Sequence, residues 1–579
     1  MEALGWDRLD VLLVSGDSYV DHPSFGIVLL ARWLIENGFR CGLVCQPRWD
    51  REEDVCAMGK PRLFVGIGAG CVDSMLAHYS AFRKKRLQDA YSPGGRMGLR
   101  PNRASIVYAT VCRRAFPDLP IVLGGIEAST RRLTHYDFWQ DALRRPILFD
   151  AKADLLVYGM GERAIVEVAR RLAAKQELIG IPGTCWISPL DDSGKPIRIP
   201  EDYAATSPCV FPSHEACCAT KSLLMDLTIA LEDQVHQGLW GYEVCGGRAL
   251  VVAPPAKPLT TEEMDVLYGL PFTKKAHPSY TEPIPAAGML ATSITSHRGC
   301  GGGCSFCSLA MHQGRTISSR SKASILAEAR ALAKMHPQSR RQKGLAISDI
   351  GGPTANMWQG VCTKRAHDPL FSCHRVSCCY PTVCPFFHTP QAEHVALLQA
   401  VKALPGVVSV RVASGVRFDL ALREPEALAS YIRDFTGGQI KVAPEHIVPH
   451  VLDAMRKPKQ ALFEQFLAFF YQKSREFGLE QYVVPYLISA FPSCRDTDME
   501  ALATWLAKRH WSPKQTQCFI PTPGTIATAM FYAKITPSGE PIVCATTDAE
   551  RLRQHSLLAP HKDPNPRKTN KTPWKKKPV

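Results

Sequence analysis

The sequence has no long hydrophobic run. Its 579 residues are 45% hydrophobic and 21% charged, but no uninterrupted apolar stretch approaches the roughly 20 residues that span a membrane. Residues Met1 to Asp10 mix acidic and basic side chains and lack the cationic start and apolar core of a signal peptide. We therefore expect a cytoplasmic protein without a membrane partner. In that compartment the 21 cysteines are expected to be thiols and metal ligands rather than disulfides.

The sequence also lacks a recognisable RNA-binding module after residue 535. The net charge is +15, and residues Lys562 to Val579 hold seven Lys or Arg and one Asp. The high proline and lysine content predicts that this basic tail is disordered. It could bind RNA, but a solvated end explains the charge equally well. The charge is therefore weak evidence for a nucleic-acid partner.

Three cysteines with C-x3-C-x2-C spacing form the most informative motif. Cys300, Cys304 and Cys307 share one glycine-rich loop, and thiolates on a short loop can converge on an iron–sulfur cluster. Three cysteines would leave one iron of a four-iron cluster free for a substrate or cofactor, unless a fourth cysteine from elsewhere closes the site. The alternative is a zinc loop with His297 or His312 as the fourth ligand.

The first part of the chain alternates candidate strands and helices. Apolar runs at 11–14, 41–45, 63–67, 121–123 and 155–158 predict a parallel α/β sheet. Glycine-rich turns follow three of these runs, and ligands bind such sheets at the strand carboxyl ends, although tight turns alone also explain the glycines. We predict a Rossmann-like α/β domain over residues 1–250 and a Pro-rich connector over 251–285.

A second alternation begins near residue 290. Helical stretches separate six candidate strands, at 290–294, 344–350, 407–413, 439–442, 482–488 and 515–520. This pattern predicts a partial (β/α)6 barrel over residues 286–535, with a Cys-rich insertion over 358–390 and a C-terminal segment over 536–579. The cysteine loop directly follows the first strand, at the end where chemistry sits in such barrels.

The ends of the next strands offer candidate ligand-binding groups. Gly351 and Gly352 let the backbone approach a ligand closely, and their carbonyls can accept bonds from an ammonium group. Ser414 and Arg417 offer a hydroxyl for a ribose and a guanidinium for a carboxylate. The alternative for Arg417 is an ion pair with Asp419 on the surface.

The fourth strand ends in two charged residues that could also belong to the site. Lys441 and Glu445 could face the pocket or pair with each other.

A second cysteine group lies in the loop after the second strand. Cys362, Cys373, Cys378 and Cys384 do not have a standard zinc or ferredoxin spacing, and Cys379 is adjacent to Cys378. An auxiliary iron–sulfur or zinc site is one interpretation, and free thiols in an insertion are the other. A loop of about 40 residues rarely persists without structure in a compact domain, which favours something that holds it together.

The cysteine loop, with Phe306 before its last cysteine, resembles the radical S-adenosylmethionine (SAM) enzymes. The similarity extends to the YgiQ family of radical-SAM proteins over about residues 9–535. It rests on five further motifs: DAYSPGG at 89–95, GGIEAS at 124–129, YGMGERA at 158–164, GGPTANM at 351–357 and APEH at 443–446. The glycine turns of the first domain also resemble those of cobalamin-binding radical enzymes. Their Asp-x-His-x-x-Gly pattern is absent, so cobalamin is not supported.

The resemblance implies an activity and its cofactors. A 4Fe-4S cluster on Cys300, Cys304 and Cys307 would bind SAM at its open iron and cleave it to methionine and a 5′-deoxyadenosyl radical, which acts on an unknown substrate. An external donor such as a flavodoxin or ferredoxin would supply the electron.

The resemblance also implies which residues bind SAM. Gly351, Gly352, Ser414 and Arg417 would position it, although Pro353 stands where the superfamily has Glu. The alternative function is a zinc-binding RNA-interaction or scaffold protein.

Overall fold

The fold is described from a computed structural model that covers residues 1, 4–336, 344–368, 371–513 and 515–558. The mixed α/β class predicted from the sequence is confirmed. The basic tail at 562–579 lies outside the described residues. No helix in the described part of the chain combines the length and apolar character needed to cross a bilayer.

The first part of the chain carries eleven strands and eleven helices in its described residues. The strands are Val11–Ser15 (β1), Cys41–Cys45 (β2), Phe64–Gly68 (β3), Ile121–Gly124 (β4), His135–Asp137 (β5), Ala142–Arg144 (β6), Leu155–Val157 (β7), Thr184–Pro189 (β8), Cys209–Phe211 (β9), Gly241–Cys245 (β10) and Arg248–Val252 (β11). The helices are Gly26–Glu36 (α1), Glu53–Cys56 (α2), Ser74–His78 (α3), Ala104–Ala115 (α4), Gly125–Thr130 (α5), Ile147–Ala151 (α6), Glu162–Ala173 (α7), Glu201–Ala204 (α8), His214–Ala219 (α9), Leu223–Gln237 (α10) and Thr261–Gly269 (α11).

Nine of these strands form one sheet in the order β2-β1-β3-β4-β7-β8-β11-β10-β9. The first five are parallel, and β8, β11 and β10 extend the sheet with antiparallel pairings. Helices α1 and α7 cover one face, and α4, α6 and α10 cover the other. Burial on both faces explains why β1 and β3 are continuous apolar runs without alternation.

The stretch predicted to be a Pro-rich connector has more structure than its composition suggests. Its first two residues, Val251 and Val252, belong to β11, and helix α11 follows with Met264 and Leu267 fully buried. Thr260 and Glu263 form a capping box at the start of α11, a local signal that the sequence does contain. The domain boundaries at 250 and 285 stay predictions.

The second part of the chain carries the remaining strands and helices. The strands are Ser293–Thr295 (β12), His297–Arg298 (β13), Ser318–Ser319 (β14), Leu345–Ile347 (β15), Asp349–Gly351 (β16), Val361–Cys362 (β17), Phe387–His388 (β18), Val407–Val410 (β19), Gln439–Glu445 (β20), Tyr482–Ser489 (β21) and Thr516–Cys518 (β22). The helices are Pro285–Leu290 (α12), Leu309–Gln313 (α13), Lys322–Met335 (α14), Thr363–His367 (α15), Gln391–Lys402 (α16), Phe418–Ala421 (α17), Pro425–Ser430 (α18), Pro449–Met455 (α19), Gln460–Glu476 (α20), Asp496–Ala507 (α21), Ile526–Ala533 (α22) and Asp548–Ser556 (α23).

Parallel pairings connect the strands of this second part. β12 pairs with β16, β15 pairs with β19, and β20, β21 and β22 form a parallel sheet. Two backbone hydrogen bonds join the segment after β19 to residues before and within β20. The Val412 N–H donates to the Phe435 carbonyl oxygen at 3.2 Å, and the Val416 N–H donates to that of Lys441 at 3.1 Å. The predicted strand at 290–294 was placed too early, because α12 extends to Leu290 and the strand starts at Ser293.

Helix α23 closes one side of this strand set together with a loop from the first part of the chain. Arg551 is fully buried and donates to the carbonyl oxygens of Ala81 and Phe519. The His555 ring packs against Phe82 with 5.6 Å between centroids. Residues that are 470 positions apart therefore meet at this wall.

Candidate active site

The cysteine loop is folded back by a short antiparallel pair. β13 pairs with β14, and Gly299 follows β13 with φ of +85°. A Cβ at Gly299 would lie 2.1 Å from the Thr316 carbonyl oxygen, so only glycine fits at this turn. The backbone position at which the cysteine loop begins is therefore set by the Gly299 turn at the end of β13.

The three cysteines of the motif line one cavity of about 710 Å³. Burial raises the pKa of Cys300, and the nearby Arg417 guanidinium acts to lower it. Burial also raises the pKa of Cys307 to about 12, and the adjacent thiols of Cys304 and Cys300 add to this rise. Lys457 opposes the shift at both Cys300 and Cys307. Three thiols therefore share one cavity with the cationic side chains of Arg417 and Lys457, among others.

The donor set suits an iron–sulfur cluster. In the described ranges, no group of three or more His, Cys, Asp or Glu side chains is already arranged to hold a metal ion. The chemistry of the site nevertheless fits, because three sulfur donors come from one loop and line one cavity. Arg417 and Lys457 would offset the negative charge that thiolates carry.

Arg417 forms the ion pair that the sequence left open, but the pair is buried. Its Nε and Nη2 donate to Asp419 at 3.1 and 2.6 Å, and the two side chains are 11% and 3% exposed. The pair that the sequence offered as an alternative is therefore formed, but it does not lie on the surface. The remaining nitrogen, Nη1, faces the cysteine loop, because a Cβ at Gly302 would lie 2.8 Å from it. Arg417 therefore has one nitrogen directed at the cysteines.

Gly351 and Ser414 lie against each other at the ends of neighbouring strands. A Cβ at Gly351 would come within 2.2 Å of Ser414 Oγ, so glycine is required at this contact. Asp349 fastens the second strand end to the third, since its Oδ1 accepts the N–H groups of Ala413 at 2.7 Å and Ser414 at 3.0 Å. Burial raises the pKa of Asp349, although these hydrogen bonds act to lower it. No local sequence pattern singles out this carboxylate.

Gly352 is packed against His297. A Cβ at Gly352 would lie 2.6 Å from the His297 carbonyl oxygen and 2.7 Å from Nε2 of its ring. Burial lowers the pKa of His297 to about 3, so the imidazole is neutral. The Nδ1 atom of His297 contacts Ser296 Oγ at 2.9 Å, and its Nε2 has no hydrogen-bond partner among the described residues.

A second cavity, of about 640 Å³, lies between the two parts of the chain. Gly351, Gly352, Ser414 and Asp349 line it on one side, and we call it the inter-sheet cavity. It shares Leu309, Pro353, Ala413 and Ser414 with the cysteine cavity. The four predicted SAM-binding residues are thus divided, with Gly351 and Gly352 in the inter-sheet cavity, Arg417 in the cysteine cavity and Ser414 in both.

The glycine turns of the first sheet form the opposite side of the inter-sheet cavity. They are the turns at 66–70, 124–125 and 159–161, as the rule for strand carboxyl ends predicts. Glu162 follows the last turn, is 3% exposed and pairs with Arg298, which also donates to the Tyr268 hydroxyl at 3.0 Å. This pair joins the two parts of the chain and was not predicted, because no local pattern connects residues that are 136 positions apart.

Lys441 and Glu445 both line the cysteine cavity, which agrees with the first of the two alternatives, and no ion pair joins them. Glu445 instead lies 3.7 Å from Lys457 Nζ, and its backbone has φ of +66°. Non-glycine residues seldom adopt this conformation, and such residues cluster at functional sites. Burial raises the pKa of Asp349, and the charge of Lys441 acts to lower it. Lys441 therefore lies near that carboxylate.

The Cys-rich insertion packs against the cysteine loop. Ser377 Oγ donates to the Gly302 carbonyl oxygen at 2.6 Å, and the Cys378 N–H donates to that of Gly301 at 2.9 Å. Cys379 is buried and near Cys300, whose charge adds to the rise in the Cys379 pKa that burial causes. The insertion is therefore held by the loop that it covers.

Three cysteines of the insertion lie near one another. Burial raises the pKa of Cys378, and the thiols of Cys373 and Cys384 add to the rise. Nη2 of Arg315 lies 3.7 Å from Cys378 Sγ and acts to lower that pKa. Cys362 lies on β17, where it pairs with Phe387 of β18.

Comparison with solved structures returns radical SAM enzymes at low similarity. The methyltransferase TsrM from Kitasatospora setae, solved with a tryptophan substrate and a SAM analogue, is 15% identical with a TM-score of 0.48. That match covers 89% of this chain and 74% of TsrM. The cobalamin-dependent SAM radical enzyme OxsB, solved with aqua-cobalamin, is 10% identical with a TM-score of 0.47. It covers 95% of this chain and 56% of OxsB.

Sequence comparison returns much closer relatives. The family model described as "Radical SAM N-terminal" matches residues 1–293. UPF0313 protein GSU2873 of Geobacter sulfurreducens is 43% identical, over 96% of this chain and 90% of the relative. A UPF0313 protein of Methanosarcina mazei is 41% identical, over 96% and 93%. The resemblance to the YgiQ family is thereby confirmed, and this chain belongs to the UPF0313 family of radical SAM proteins.

Proposed function

We propose that this radical SAM enzyme binds a 4Fe-4S cluster on Cys300, Cys304 and Cys307. The observation that carries the proposal is that these three thiols line one cavity with the strand-end residues Ser414 and Arg417. The cluster, when bound, supplies the electron that cleaves SAM to methionine and a 5′-deoxyadenosyl radical, which acts on an unknown substrate. The five neighbouring parallel strands of the first sheet support a Rossmann-like domain. The parallel pairings among seven strands of the second part support a partial (β/α)6 barrel after it.

The strand ends would position SAM between the two cavities. The carbonyls of Gly351 and Gly352 can accept from its ammonium group, and the Ser414 hydroxyl can bond a ribose oxygen. Arg417 Nη1, which the Asp419 pair does not use, can donate to the carboxylate. An external donor such as a flavodoxin or ferredoxin would supply the electron.

Asp349 is a further candidate for the SAM ammonium group. The superfamily's Glu is replaced here by Pro353, and Asp349 supplies a carboxylate on the same strand end. Hydrogen bonds from described residues end on its Oδ1, which leaves Oδ2 as an acceptor. A carboxylate that faces the inter-sheet cavity beside Gly351 is well placed to hold a cation.

Asp349→Asn should weaken SAM binding by about 10-fold to 100-fold, the loss of a charge-assisted hydrogen bond of about 1.5–3 kcal/mol. The asparagine oxygen can still accept from Ala413 and Ser414, so the fold is retained. Titration calorimetry of reconstituted protein with SAM under anaerobic conditions measures the change. Asp434→Asn, which removes a carboxylate from a pair with Lys402 outside both cavities, is the matched control. Equal affinity in the two variants would remove Asp349 from the site.

The assay for the proposed function is anaerobic. The protein is reconstituted with iron and sulfide, reduced with dithionite and given SAM, and 5′-deoxyadenosine is measured by chromatography. We expect brown protein with about four irons per chain and product that depends on dithionite. Colourless protein that retains zinc and forms no product would favour the zinc-binding alternative.

A second metal centre at Cys373, Cys378 and Cys384 is a separate proposal, supported by the proximity of these thiols and by Arg315 beside Cys378. Replacing Cys378 and Cys384 together by alanine should lower the iron or zinc content by one centre and leave the Cys300 site loaded. Metal analysis of this double variant beside the wild type measures the change. Identical metal content would assign these thiols a packing role only.

A further inference from the structure

Among the described residues that line the inter-sheet cavity, three buried side-chain atoms have neither a hydrogen bond nor an ion pair: Glu162 Oε2, His297 Nε2 and Ser348 Oγ. Of these, only Glu162 Oε2 belongs to a carboxylate. Glu162 is 3% exposed, and its Oε1 is engaged by Arg298. Its other oxygen, Oε2, is buried and receives no hydrogen bond from a described residue. Leaving a buried carboxylate oxygen unpaired costs about 1–3 kcal/mol, so such an atom in a cavity wall indicates a ligand donor.

The charges around the cavity favour a positive ligand. The lining contains the carboxylates of Asp17, Glu162 and Asp349 against one guanidinium, that of Arg298. Asp17 is paired with Arg100, but Arg100 is shared with Asp89. Including these two neighbours and Lys441, which lies near Asp349, four carboxylates face three cationic side chains. A bound cation would reduce this imbalance, whereas an anion would increase it.

Much of the remaining lining is apolar, beside polar groups that include His297, His312 and Gln313. Glycine backbone and aliphatic side chains from β3, α1 and α12 make up most of it, including Ile67, Leu30 and Leu290. Met289 also lines the cavity and is 63% exposed, so this part of the cavity reaches the protein surface. A volume of about 640 Å³ lies within the range of small-molecule sites.

We propose that the inter-sheet cavity binds the substrate of this enzyme, and that the substrate is a small molecule with an apolar body and an amine that donates to Glu162 Oε2. This inference rests on the proposed function only where it calls the ligand a substrate, because the preference for an amine follows from Glu162 and its surroundings. Gly351, Gly352 and Ser414 line the same cavity, so the bound molecule would lie next to the residues proposed to hold SAM.

Three probes of equal chain length test the ligand chemistry. Hexylamine, 1-hexanol and hexanoate are titrated into the iron-loaded full chain, without SAM or dithionite, and binding is followed by saturation-transfer NMR. We expect hexylamine to bind at least about tenfold more tightly than 1-hexanol, and hexanoate to bind most weakly. Similar affinities for hexylamine and hexanoate would overturn the proposal.

Glu162→Gln isolates the carboxylate. It should weaken hexylamine binding by about tenfold, as expected for loss of a charged hydrogen bond, and change 1-hexanol binding less than twofold. Glu167→Gln, on the same helix but in a surface pair with Arg171, is the matched control and should change neither. An unchanged hexylamine affinity in folded Glu162→Gln would contradict the proposed contact.

Met160→Trp gives an independent test, because it fills the cavity beside α7 without removing the carboxylate. It should weaken hexylamine and 1-hexanol together by at least about tenfold, and unchanged binding of both would overturn the pocket even if Glu162→Gln fails to fold. Formation of 5′-deoxyadenosine without selective amine binding would refute the pocket alone. Selective amine binding without 5′-deoxyadenosine would refute the radical chemistry alone.

Discussion

Cys304→Ala is expected to lose the iron–sulfur cluster and reduce 5′-deoxyadenosine formation to background. The three cysteines supply the sulfur donors of one loop, and a cluster held by two of them would lose a covalent ligand on one iron. We expect purified, reconstituted Cys304→Ala to fall from about four irons per chain to less than one. Iron and sulfide analysis of the same preparation measures this loss directly.

The control for this variant is Cys56→Ala, which removes an exposed thiol of the first sheet domain far from the motif. It should load iron and form product as the wild type does. Unchanged iron and sulfide in Cys304→Ala would count against the proposed ligand set. If the second centre also binds iron, Cys304→Ala should retain that share while the product still disappears.

Gly351→Ala is expected to weaken SAM binding by at least about tenfold while the cluster remains. The new Cβ would lie 2.2 Å from Ser414 Oγ, and overpacking of this kind typically costs about 1–3 kcal/mol. The strand ends must separate, which displaces both residues proposed to bind SAM. Anaerobic calorimetry with SAM measures the affinity, and the iron content of the same sample reports on the cluster.

Ser414→Ala separates the steric effect from the chemistry of the hydroxyl. In Gly351→Ala with Ser414→Ala the clashing oxygen is gone, and the nearest remaining atom is the Ser414 Cβ position at 3.3 Å. We expect the double variant to bind SAM as Ser414→Ala alone does. A double variant that remains as weak as Gly351→Ala would show that the strand contact is not the cause. Wild-type affinity in Gly351→Ala itself would place SAM elsewhere.

Much of the fold could be predicted because the strands are apolar runs that alternate with helices. β1 and β3 are continuous because the sheet is covered on both faces, and their positions were predicted within a residue or two. The first strand of the second part was misplaced because the run through Leu290 is apolar in either conformation. Pro285 at the first turn of α12 was the local sign of a helix, since proline is favoured there.

The site was predictable where its residues are close in sequence. Spacing alone brought Cys300, Cys304 and Cys307 together, and the Arg417 pair with Asp419 was weighed because the two residues are neighbours. Burial of that pair depends on packing by distant elements and leaves no local pattern.

The contacts between distant segments could not be predicted either, because they also leave no local sequence pattern. Glu162 and Arg298 meet across 136 positions, and Asp349 is held by backbone donors about 65 positions away. Only the folded chain shows either partnership.

The wall built by Arg551, Phe82 and His555 sets an order of events during synthesis. Phe82 and His555 line the cavity of the three cysteines, and Arg551 fastens α23 to the Ala81 carbonyl. The ribosome makes the cysteine loop about 250 residues before this helix, and at about 5–20 residues per second the delay lasts tens of seconds. Until α23 has been made, its residues cannot cover this side of the cysteine cavity. If the proposed cluster is assembled while the chain is being made, iron and sulfide would reach the cysteines before α23 docks.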